Sequence, residues 1–183
     1  PWKSFIYTMH IDQLSLLPYL RHCEDPDPEI ARKVWESAEY VERYLQENKG
    51  EEERVQNWRA TYFYWAAKYH AGHCTIREAV EKMLEQIARV DPDDYSADGV
   101  NNNLGLPSHV FHYMQLLSPQ DMEELGDCIR SIQRRCIRYL ERMPMIRYPR
   151  AVSMAVWDLA EAQPYLNDWA RTGMLQYLLA SHK

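Results

Sequence analysis

Apolar residues recur along this chain at steps of three and four, and hardly any stretch alternates at period two, so the pattern predicts an all-α protein. The clearest element is "DPDPEIARKVWESAEYVERYLQENKG". Here Asp27 is the expected N-cap and Pro28 the first helical residue; Ile30, Val34, Ala38, Val41 and Leu45 line one side, and Gly50 terminates the run. Before it, a helical stretch from Trp2 to about His22 is interrupted near Pro18, which should kink it or divide it in two. After it, a helix from about Glu52 to Ala71 places Trp58, Tyr62, Trp65 and Tyr69 at steps of four, three and four. Phe63, Tyr64 and Ala66 spread its apolar surface sideways, the mark of a central helix. The stripe could be read as an aromatic ligand cage; burial of all four rings together in a core is the expectation.

Gly72 should end that helix, and the T-x-x-E capping box at Thr75 to Glu78 should start the next, with Val80, Met83, Leu84, Ile87 and Ala88 facing inward until Pro92. So short a turn makes the two helices antiparallel. The unit is tetratricopeptide-like, yet seven positions separate Gly72 from Ala79 where that motif has five, and no second copy follows in register. Farther on, Pro107 should open a short helix to Leu117, and Ser118 with Pro119 should open another. From Met122 to Met143 the inward set reads Leu125, Ile129, Ile132, Cys136, Leu140 and Met143. Two last helices are expected from about Pro149 to Ala162 and Leu166 to Ala180, separated by Pro164. The expected architecture is seven or eight helices stacked as antiparallel α-hairpins, without a regular repeat and without a sheet.

A length of 183 residues, a formal charge of -6 and a pI near 5.6 suit one helical domain, 1–183, able to bury roughly two thirds of its unfolded surface. Mild acidity argues against a nucleic-acid partner, and no apolar run is long enough to span a membrane. Cys23, Cys74, Cys128 and Cys136 form no C-x-x-C pair, which suits reduced thiols filling a core in a cytoplasmic protein. The chain opens on Pro1 and its final run, "DWARTGMLQYLLASHK", shows no cap. Both features lead to the expectation of an N-terminal piece of a longer protein, with Trp169, Leu175, Leu178 and Leu179 of that last helix packing on the body.

Three places could carry chemistry. In "DPDDYSADGVNNNLGLPSHVFHY", Asp94, Ser96, Asp98 and Gly99 fit the first half of a calcium-binding EF-hand loop, but the twelfth position is Gly105, which has no carboxylate, and Pro107 follows at once. The alternative is Asx-turns, with Gly99 and Gly105 at positive φ and Asn103 or a neighbour capping the next helix. Histidines form two pairs, His70 with His73 and His109 with His112, which could together complete a tetrahedral metal site; no H-E-x-x-H or His-Asp dyad accompanies them, and no cofactor is expected. Lastly, Arg130, Arg134, Arg135, Arg138 and Arg142 share one side of a helix. Of these, Arg134, Arg135, Arg138 and Arg142 are the anion-binding candidates; a solvated face balanced by acids such as Glu141 is the competing reading. Nucleophile elbows, phosphate loops and dinucleotide fingerprints are missing from the sequence, so no catalytic residue is assigned.

The run "KYHAGHCTIREAVEKML" followed by "DDYSADGVNNNLGLPSHVFHYM" resembles a segment of the helical region that precedes the HD or HD-GYP phosphohydrolase domain in some Firmicute cytoplasmic signalling proteins. There a similar D-D-Y-S-x-D-G loop leads into an N-L-x-L-P helix. The likeness covers residues 60–115. It implies a sensory or regulatory N-terminal module for cyclic-dinucleotide or related nucleotide signalling, with Asp94, Tyr95, Ser96, Asp98 and Gly99 shaping the loop. The family's metal chemistry cannot be placed on this chain, which has no His-Asp dyad. Two functional classes follow. One is a non-catalytic sensory or interaction module, whose partner is a downstream HD-type domain of the same chain or another protein, a homodimer being left open. The other is a small helical metalloprotein or metalloenzyme built on the histidine pairs.

Overall fold

The computed structural model describes residues 9–10, 13–47 and 57–142. The helices anticipated at 149–162 and 166–180, with Met143 and the four apolar residues of the terminal run, lie outside the described residues. Among the described residues the chain is helical with no strand, an all-α fold. Its elements are a 3₁₀ turn at Leu14–Leu16, α1 (Leu17–His22), α2 (Pro28–Glu47), α3 (Asn57–His70), α4 (Ile76–Ala88), α5 (Ala97–Val100), a wide π-type turn at Asn101–Gly105, α6 (Leu106–Met114), α7 (Pro119–Glu124) and α8 (Gly126–Arg142). The chain divides into two compact units, 1–83 and 84–183.

In the first unit the ends of the helices are set by short polar side chains. Asp27 Oδ1 accepts from Glu29 N at 2.9 Å, and Thr75 Oγ1 accepts from Glu78 N at 3.1 Å, each removing an orphan donor from a first turn. Pro18 stands in the first turn of α1, where its missing N–H costs nothing. Gly72, at φ 76°, is the left-handed residue that closes α3. α2 and α3 pack closely on each other. Trp35, in the first half of α2, meets Tyr64 at 5.4 Å and His73, beyond the end of α3, at 5.1 Å, the pattern of helices running in opposite directions. Val34, Ala38 and Val41 of α2 and Tyr62, Ala66 and Ala67 of α3 are buried. Ile30 is half-buried, and the side chain of Leu45 lies outside the described residues.

The aromatic stripe departs from expectation. Of the three rings that are described, Tyr62 is in the core while Trp65 and Tyr69 are half-buried; the side chain of Trp58 lies outside the described residues. Lys68 explains part of this, because its Nζ lies 4.6 Å from the Trp65 ring centre, covering an aromatic face with a cation that keeps its own water. Cysteines are not uniformly core filler either: Cys136 is buried, Cys23 and Cys74 are half-buried and Cys128 is exposed.

In the second unit, two helix boundaries differ from the pattern. Residues 119–142 are not one helix, since Leu125 tucks into the core and the chain restarts at Gly126 as α8. Nor does Pro107 open a helix out of a loop. The chain is already helical from Ala97, and Pro107 lies in the first turn of α6 directly after the wide turn. A proline ring clashes with the carbonyl four residues back, which is that of Asn103. Widening the turn relieves the clash, and Asn103 O instead faces the Cys136 thiol, 3.5 Å away.

Candidate functional site

Segment 91–105 is built first from local bonds. Asp91 Oδ1 accepts from Asp93 N at 3.0 Å and Asp94 Oδ1 from Ser96 N at 2.9 Å, two successive Asx-turns; Ser96 Oγ then accepts from Gly99 N at 3.1 Å and Ser96 O from Val100 N at 2.9 Å, starting α5. Gly99 is not at positive φ, and Gly105 has φ -66°. Gly99 is required for another reason: a Cβ there would overlap the carbonyl and side chain of Asp94. The side chain of Asp98 lies outside the described residues.

Asn103 does not cap a helix. It is 1% exposed, and its Nδ2 donates to Asp91 O at 2.9 Å and to Gly99 O at 3.0 Å, tying the start of the segment to its end. Its Oδ1 accepts from Arg135 Nη2 at 3.0 Å, and the same guanidinium donates to Val90 O. Arg135 is therefore not part of a solvated face. Burial pulls its guanidinium below the usual arginine range, partly offset by Cys136 and Asp91. One turn on, the Tyr139 hydroxyl donates to Asp94 O at 2.7 Å and its ring stacks on Tyr95 at 5.0 Å and 19°. Burial, then the charges of Asp94 and Tyr95, raise the Tyr139 phenol above its usual range. Helix α8 thus holds the segment at three successive heights through Arg135, Cys136 and Tyr139.

Beside these anchors lies a cavity of about 560 Å³ lined by Pro92, Ser131, Arg134, Arg135, Arg138, Tyr139 and Arg142. Spacing at three, four and seven puts these four arginines on adjoining stripes of α8, and the folded segment supplies the opposite wall through Pro92. Arg142 Nη1 is 3.5 Å from Asp93 Oδ1, while Arg130, outside the lining, pairs with Asp127 at 2.5 Å. Arg134 and Arg138 have no ion-pair partner among the described residues. The sequence placed the arginines together but could not show that a wall faces them, because that wall depends on Asn103. Three asparagines in a row before a leucine were the only signal, and they read equally as loop.

The two histidine pairs fall in different units. His70 and His73 flank the end of α3, with His73 against Trp35, while His109 is half-buried and His112 buried on α6. No group of three or more His, Cys, Asp or Glu suited to a metal forms among the described residues. Burial, then the charge of Arg21, lowers His70 to about 4. Compared with protein-family models, with curated proteins and with solved structures, the chain finds no match.

Proposed function

We propose that the chain is a non-catalytic sensory or regulatory module of a signalling protein, acting on an HD-type phosphohydrolase domain to which it is attached. One observation carries this reading: the cavity wall and the anchors of segment 91–105 are the same residues. Arg135 and Tyr139 line the cavity and also hold Val90, Asp94 and Asn103. An occupant that draws on Arg135 competes with those bonds, so occupancy and the state of the segment share one free-energy balance. The likeness of residues 60–115 to the region preceding HD-type domains supports the choice of effector domain.

The test is made on the whole gene product that carries this chain. Asn103→Ala, which removes the tie between the segment and Arg135, is expected to change phosphodiesterase turnover severalfold without changing bound metal. A gene product with no HD-type domain, or one whose turnover is the same with and without the substitution, overturns the reading.

A further inference from the structure

We propose that the arginine-lined cavity binds a small organic polyphosphate, a nucleotide bearing two or more phosphate groups; this rests on the module reading above. Four guanidinium groups line one cavity; among the described acids Asp93 pairs with Arg142, and Asp91 acts on Arg135 through its charge without an ion pair. Arg134 and Arg138 face the cavity as cations with no acid among the described residues to neutralise them. Guanidinium forks match phosphate oxygens two at a time, which lysines could not do as well.

Length and volume narrow the class. From Arg134 to Arg142 the row rises about 12 Å along the helix axis, so charge at two or more points along a ligand matches it better than one isolated ion. A cavity of about 560 Å³ falls within the range of small-molecule sites, and phosphates held by the arginines leave room for an organic group beside Pro92 and the edge of Tyr139. Arg135 is held by Asn103 and Val90 before any ligand arrives, so a phosphate that draws on it exchanges part of those bonds for its own, while Arg134 and Arg138 give up no ion pair among the described residues.

Titration calorimetry on the intact chain, at low and near-physiological salt, should use ATP, ADP, inorganic tripolyphosphate and citrate. Saturable binding of ATP and ADP with a dissociation constant below about 1 mM, tighter than that of citrate, is expected. Tripolyphosphate should bind through the same arginines but more weakly than ATP. Arg138→Gln should weaken ATP binding about tenfold, the effect of one lost charge-assisted contact, and Arg138→Lys should restore only part of it. Arg130→Gln, outside the cavity and on the exposed surface, should leave binding unchanged. No saturable binding of any phosphate compound, or equal losses for Arg138→Gln and Arg130→Gln, overturns the proposal.

Hydrogen exchange of the amides in 91–105 separates this from the module reading. ATP binding that leaves exchange in the segment unchanged would keep the ligand class and overturn the regulatory coupling. Exchange that responds to Arg138→Gln while no phosphate compound binds would do the reverse.

Discussion

Asn103 shows how much one side chain can decide. Its amide closes the segment on itself and its carbonyl oxygen receives Arg135, so removal leaves two backbone carbonyls and a half-buried guanidinium short of partners. Asn103→Leu is expected to cost about 2–4 kcal/mol in denaturant melts, as lost buried hydrogen bonds with an unpaired charge do. The aromatic stripe gives a contrast at the same scale. Tyr62 is 3% exposed, so Tyr62→Ala should cost about 3–5 kcal/mol, whereas half-buried Trp65→Ala should cost about 1–2 kcal/mol because its face is already shared with Lys68 and solvent. Equal losses for the two would show that the stripe packs as a unit. Periodicity reports which side of a helix is apolar; it does not report how far a neighbour covers that side, which is why burial of the full stripe could not be read from spacing.

At the level of elements, the caps were the most legible part of the sequence. Asp27, Thr75 and Ser118 each accept a backbone N–H from the first turn that follows, the last from Asp121 N at 3.1 Å, because capping depends on residues only two or three positions away. Segment 91–105 was less legible. Its Asx-turns are local and could be anticipated; its helical continuation through Val100 and the wide turn depends on Asn103 meeting α8, 32 residues later. Gly99 belongs to this scale too. Gly99→Ala pushes a methyl group into Asp94 and should cost about 2–4 kcal/mol while loosening segment 91–105, the penalty of an overpacked contact that backbone must relieve. Faster amide exchange confined to 91–105, with α2 and α3 unaffected, is the signature to look for; unchanged exchange would mean that the Asp94 turn can yield at little cost.

For the whole molecule, pH gives a reading of stability that no single contact does. His70 is lowered to about 4 by burial and by Arg21, so between that value and the 6.5 of an unfolded histidine the unfolded chain holds a proton that the folded chain does not. Stability is then fully present above about 6.5 and is lost as pH falls toward 4, by about 2 kcal/mol at most once partial exposure of the ring is allowed for. His70→Phe removes this loss, so in melts across the range the difference between variant and wild type should move in the variant's favour as pH falls; a constant difference would mean that His70 does not titrate there. The wide turn at Asn101–Gly105 has a consequence for insertions and deletions. A π-type turn carries one residue more than regular winding needs, and each α-helical residue turns the chain about 100°. Deleting one residue within 101–105 would restore ordinary winding and leave α6 near its present face, but it would set Pro107 inside a regular helix, where its ring meets the carbonyl four residues back. Such a deletion should keep helical content by circular dichroism and lose cooperative melting, so the stretch that reads most like a spacer is one whose length cannot change by a single residue.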